Sequence, residues 1–137
     1  MRYGALLDIA QKVHAGEPVD LTTGNFNCIW QGDANSIVVR ALEIADSPPA
    51  VLNLTGPETL SVRRVAQQFG SLFGLEPVYS GEEAPTALLS NAGYCFRRFG
   101  YPRVPAQRMI EWTAHWVKIG GPTLNKPTHF ETRDGKF

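Results

Sequence analysis

The sequence predicts an α/β fold in which helices dominate and the strands are very short. Apolar residues recur at helical spacing in several separate stretches, the β-forming runs between them are only a few residues long, and Gly or Pro punctuates most boundaries. With 137 residues, 43% hydrophobic and 19% charged, the chain has the size and composition of one folded domain rather than of a disordered segment.

The first element is a helix over residues 4–15, with Leu6, Leu7, Ala10 and Val13 on one face, stopped by Gly16 and Pro18. A polar loop containing Thr22, Thr23, Gly24 and Asn25 follows. Residues 26–31 (FNCIWQ) are rich in β-formers and read as a strand. Gly32-Asp33 turns the chain, and Asp33 is placed to cap the next helix. That helix carries the stripe Ala34, Ile37, Val38, Ala41, Leu42 and Ala45, and Pro48-Pro49 ends it. Residues 51–54 read as a short apolar strand. A second striped helix opens at Ser61, buries Val62, Val65, Ala66, Phe69, Leu72 and Phe73, and stops at Gly74. Residues 77–79 suggest a third strand. Ser90 is placed to cap a short helix carrying Ala92, Cys95, Phe96 and Phe99. The last helix, residues 106–119, shows Met109, Trp112, Thr113, Trp116 and Val117 on one face and ends at Gly120-Gly121-Pro122. Residues 1–121 therefore form the expected lobe and 122–137 a polar tail, in which Asp134-Gly135 suggests a hairpin turn. Without an apolar stripe, that tail must dock on a larger body or stay mobile. Strands this short look like the outer portion of something bigger.

Thirteen basic and 13 acidic residues give a net charge of zero, which supports neither nucleic acid nor an anionic membrane as a partner. Cys28 and Cys95 lie far apart, outside any metal-binding spacing, and read as buried, reduced thiols. The N-terminal stretch lacks a secretory pattern and no run approaches the length of a membrane span, so the expected compartment is the cytoplasm. Asn53-Leu54-Thr55 fits the glycosylation triplet by chance in that setting.

No glycine fingerprint, P-loop, nucleophile elbow or metalloprotease helix is present, so no catalytic residue, cofactor contact or metal ligand is assigned. His14, His115 and His129 have no partner implied by the sequence. Glu82-Glu83 and the pairs Arg63-Arg64 and Arg97-Arg98 read as solvated surface, although the arginines could also clamp a phosphate. Gly70 and Gly74 read as helix termination and close packing. Trp112 and Trp116 read as core or interface packing.

The run from Asn27 to Asn35 (NCIWQGDAN), then Leu52 to Ser61 (LNLTGPETLS), then Phe99-Gly100-Tyr101-Pro102 resembles the C-terminal third of the extended short-chain dehydrogenase/reductase family, the NAD-dependent epimerase/dehydratase group. Each motif alone is generic; their order and spacing over residues 4–121 carry the resemblance. It implies the helix-rich substrate-binding lobe of a Rossmann-type protein, with a glycine-fingerprint domain and a Tyr-x-x-x-Lys pair lying N-terminal to this chain. Met1 then reads as an internal position just after the family's sixth parallel strand. Tyr3 cannot supply the catalytic tyrosine, because Leu7 stands where the lysine is required. The family's nucleotide-sugar enzymes usually carry an Arg entering the strand that here begins at Phe26, and Asp-x-Ser-Lys where this chain has Asn91, Ala92, Gly93 and Tyr94. Those departures favour a neutral or less charged small-molecule substrate.

The resemblance implies NAD or NADP bound by the parent protein and none by this fragment alone. Tyr3, Trp30, Gln31, Thr86, Ser90 and Asn91, near element ends or in loops, are the candidates for contacting substrate at the junction with that domain. Trp30 also fits a core position, and Asn91 also fits a helix start. The rival expectation is a free-standing α/β binding or oligomerisation module without a cofactor, its exposed apolar faces joining copies of the chain.

Overall fold

A computed structural model describes residues 1–133, so the Asp134-Gly135 turn lies outside the described residues. Helix α1 (Ala5–Ala15) ends at Gly16, whose φ of 70° is the left-handed stop glycine supplies without steric cost. Strand β1 (Val19–Asp20) follows, then β2 (Asn25–Phe26), α2 (Gln31–Ala41) with a 3₁₀ turn at Leu42–Ile44, and β3 (Leu60–Ser61). Helix α3 (Val62–Phe73), β4 (Tyr79–Ser80), α4 (Gly93–Phe99) and α5 (Ala106–Lys118) complete the order. Among the described residues the strands form two separate two-stranded ladders, β1 parallel to β4 and β2 antiparallel to β3. The helix-rich, short-stranded architecture expected from the sequence is the one observed.

Helices α1, α3 and α5 supply most of the main core. Ile9, Ala10 and Val13 meet Val62, Val65, Ala66 and Phe69 of α3 and Ala106, Met109, Ile110 and Ala114 of α5, with Val19, Leu21 and Phe26 sealing the edge. Phe69 is fully buried, and removing so large a side chain would cost about 3–5 kcal/mol. A second, smaller cluster joins Ile37, Ala92 and Cys95 to the partly buried Ile29, Leu52, Leu54, Phe96 and Phe99. Gly70 and Gly74 behave as expected: Gly74 adopts φ 72°, and a Cβ on Gly70 would lie 2.6 Å from the Leu75 carbonyl oxygen.

Several local expectations need correction. The strand expected over 26–31 pairs only at Asn25 and Phe26, because the short partner β3 runs out and α2 begins at Gln31. Asp33 is therefore inside the first turn, and Trp30 occupies the N-cap without a side-chain bond. The Asp33 carboxylate instead accepts from the backbone N–H groups of Arg103 and Val104, at 3.0 and 2.9 Å. Residues 51–54 join no ladder among the described residues, and Val51 is 86% exposed. The third strand is Tyr79–Ser80, and its partner β1 falls in a stretch where no strand was expected. Of the α2 stripe only Ile37 is buried; Val38 and Leu42 are exposed, as is neighbouring Val39. Leu72 of α3 is also exposed. Ser90 does not cap α4: Ala92 is the N-cap, and the Asn91 side-chain oxygen accepts from the Gly93 N–H at 2.9 Å.

Candidate functional site

Three of the six candidate residues meet. Tyr3, Trp30 and Gln31 line a cleft of about 450 Å³ between residues 1–7 and 28–31, with Met109 and Thr113 of α5 and Leu124 completing the wall. The cleft exists because Gly4, with φ 123°, turns the N-terminal residues into α1, while residues 27–30, outside any helix or ladder, lead into α2 beside them. Trp30 folds back over Gly32, where a Cβ would stand 2.4 Å from the indole ring, and meets Trp112 edge-on at 5.8 Å. The Gln31 amide donates to Asn35 at 2.7 Å, which leaves the Gln31 carbonyl oxygen as an acceptor. The Tyr3 hydroxyl donates to the Pro127 carbonyl at 3.4 Å. Apart from Arg2, no charged side chain lines this cleft.

Ser90 and Asn91 lie elsewhere, in a second cleft of about 260 Å³ with Asn27, Gly56, Leu89 and Phe96. Asn27 fastens this loop twice, donating to the Ser90 carbonyl at 2.8 Å and accepting from its N–H at 3.4 Å; Asn53 donates to the Asn91 carbonyl at 3.1 Å. Thr86 joins neither cleft. Its carbonyl and hydroxyl oxygens accept a fork from the Arg133 guanidinium at 2.9 and 2.6 Å. The two clefts flank the chain at residues 27–28, Asn27 facing one and Cys28 the other. A third and larger cleft, about 900 Å³ between α1, the end of α5 and the tail, holds none of the six candidates.

Cys28 stands in the wall of the first cleft with its thiol pushed up to about 11, chiefly by burial and secondarily by the negative charge of Glu58. At neutral pH it is a protonated, apolar wall group rather than a nucleophile. Glu58 was not singled out in the sequence, yet its carboxylate accepts from the Ala106 N–H at 3.1 Å and so caps α5 from a distance. The signal was present: α5 begins after Pro105, which has no side-chain acceptor, so its first N–H groups need one from elsewhere. Asn27 and Arg133 were missed because their partners lie 63 and 47 residues away.

A dinucleotide cradle requires a strand running into a glycine-lined helix start. The described residues do not fit that requirement. Residues 1–4 form no strand, the start of α2 lies under the Trp30 indole, and α3 is capped by the Ser61 side chain, which accepts from Arg64 N–H at 3.3 Å. No step of hydride transfer is assigned to these residues. No group of His, Cys, Asp and Glu suited to a metal ion occurs among the described residues, and none of their helices is long and apolar enough to cross a membrane.

This architecture is that of one portion of a Rossmann-type epimerase fold, and comparison with solved structures shows it. UDP-glucuronic acid 4-epimerase from Bacillus cereus, solved with NAD, superposes with a TM-score of 0.66 at 16% identity, over 85% of this chain and 39% of that one. UDP-glucose 4-epimerase from Thermotoga maritima, solved with UDP-glucose, gives 0.66 at 16% identity over 85% and 40%. The Thermus thermophilus UDP-glucose 4-epimerase, solved with NAD, gives 0.61 at 21% identity over 85% and 41%. The chain thus spans about two-fifths of the length of the structures it resembles. No protein-family model matches the sequence, and no curated protein matches it.

Proposed function

We propose that this chain is the substrate-binding lobe of an NAD(P)-dependent epimerase, dehydratase or oxidoreductase, whose dinucleotide is held by a separate Rossmann body. The observation that carries the reading is the correspondence with two-fifths of NAD-bound epimerases, set beside a bare apolar face on α2. Hydride transfer would take place on the companion body's cofactor, with this chain covering and selecting the substrate. Tyr3, Trp30 and Gln31 are the residues proposed to contact it, through the Tyr3 hydroxyl, the indole and the Gln31 carbonyl. Ser90 and Asn91 shape a neighbouring subsite, and Thr86 acts as an anchor rather than a contact. The lining favours a neutral or weakly charged small molecule, because Arg2 is its one charged side chain.

The test is titration with NAD(H) followed by tryptophan fluorescence, since Trp30 lines the cleft and Trp112 packs edge-on against it. The chain alone should not respond, whereas a form extended by a glycine-fingerprint domain should bind dinucleotide and then quench on addition of substrate. Exposed Val38, Val39 and Leu42 also suit self-association. A stable, cofactor-independent oligomer, with no binding by the extended form, would replace the lobe reading by that of an assembly module.

A further inference from the structure

Residues 122–133 contain no helix or strand, yet they are fastened to the body at both ends. At the near end the Trp116 indole N–H donates to the Pro122 carbonyl at 3.2 Å. At the far end Phe130 packs on the main core and tilts against Phe26 at 6.0 Å, Thr23 donates to the Glu131 carbonyl at 3.1 Å, and Arg133 forks onto Thr86. Between these anchors the attachments are slight. The Leu124 N–H donates to the Arg2 carbonyl at 3.0 Å, Pro127 accepts from the Tyr3 hydroxyl, and the Thr128 hydroxyl donates to the Asp8 carboxylate. Asn125 and His129 adopt left-handed backbone, with φ of 50° and 51°, and so bend the span at two places. The span contributes Leu124 to the 450 Å³ cleft, and Thr123, Asn125, Pro127 and Thr128 to the 900 Å³ cleft.

We infer that residues 123–129 form a flap, hung between the Pro122 and Phe130 anchors, which lifts as a unit to admit a small molecule to the Tyr3–Trp30 cleft. This rests on the reading of that cleft as the substrate site. The flap is poised for such motion because Leu124 and Pro127 remain exposed and three hydrogen bonds tie it to residues outside the tail, the Thr128–Asp8 one part-buried. Lifting it breaks the Leu124–Arg2 bond, so the Leu124 amide is the reporter of opening.

Amide hydrogen exchange on the 137-residue chain tests this with no ligand present. Thr128→Val removes the hydroxyl that holds Asp8 and leaves the shape nearly unchanged; Tyr3→Phe removes the other side-chain bond. Each should speed exchange at Leu124 roughly threefold to tenfold, the range one net hydrogen bond spans. The Gly121 amide, bonded to the Trp116 carbonyl before the near anchor, and the amides of α3 should keep their rates. Unchanged exchange at Leu124, or equal acceleration at Gly121 and in α3, would overturn the flap. Because no substrate or dinucleotide is used, that result stands apart from any failure of the lobe reading, which the NAD(H) titration decides.

Discussion

Asp33 shows how one residue can be correctly read as an acceptor for backbone N–H groups and wrongly paired. The sequence offers it as a cap, and its carboxylate instead holds the backbone of Arg103 and Val104 ahead of α5. Asp33→Ala should lower stability by about 1.5–3 kcal/mol, the usual worth of bonds to a charged acceptor, in urea unfolding. Asp33→Asn retains an acceptor oxygen and should cost less. Cys28 gives a second expectation. With its thiol near 11, the native protein at pH 8 should resist alkylation at this position, whereas urea-unfolded chain should react readily. Rapid modification of Cys28 in the folded protein would contradict the burial assigned to it. Asp20 gives a third. Its carboxyl is held below the usual 3.8 by the Thr22 hydroxyl and then by the Thr22 N–H at 2.8 Å. A depressed folded value stabilises the fold above the unfolded value, and that stability is lost as pH falls through the lower folded one. Asp20→Asn should therefore be less stable than wild type at pH 7 in urea titrations, with the gap narrowing as pH falls below the ordinary 3.8 and through the lower folded value.

At the scale of elements, every helix was legible because each carries its own periodicity and its own stop. Gly16, Gly74 and the Gly120-Gly121-Pro122 run end helices where the sequence places them. Strands were legible only as tendencies. FNCIWQ has the composition of a strand, but pairing is a property of two segments, and β3 supplies only Leu60 and Ser61 as partner. Val19-Asp20 has no strand composition and pairs nonetheless, because Tyr79 and Ser80 lie beside it in parallel register. The candidate site divided in the same way. Trp30 and Gln31 are adjacent in sequence, while Tyr3 joins them only through the packing of α1 beside residues 28–31. Asn27 links to Ser90 across 63 residues, which no local pattern records. One element-level prediction follows from Gly56, whose N–H donates to the Cys28 carbonyl at 3.1 Å. A Cβ there would lie 2.2 Å from that oxygen, a backbone clash with no flexible side chain to yield. Gly56→Ala should destabilise the fold by about 1–3 kcal/mol, seen as a lower urea midpoint with an unchanged slope.

For the molecule as a whole, the decisive contrast is between a sealed face and a bare one. Helices α1, α3 and α5 bury most of their stripes against one another, whereas α2 buries Ile37 and leaves Val38, Val39 and Leu42 at 56, 67 and 73% exposure. Val51 stands nearby in sequence on an extended segment that pairs with nothing among the described residues, while Leu52 and Leu54 hold that segment to the small cluster around Ile37. Single exposed apolar side chains are ordinary, but three on neighbouring positions of one helix call for a covering body. Under the lobe reading, the Rossmann body supplies that cover. Val39→Asp with Leu42→Lys should therefore leave the isolated chain folded, with its unfolding midpoint within about 0.5 kcal/mol of wild type, as surface changes usually do. The same pair, placed in a form extended by the dinucleotide-binding domain, should weaken the contact between the two bodies, and limited proteolysis should then separate them. Equal protease resistance in the two extended forms would mean that α2 faces water there too, and the companion body would have to sit on another side.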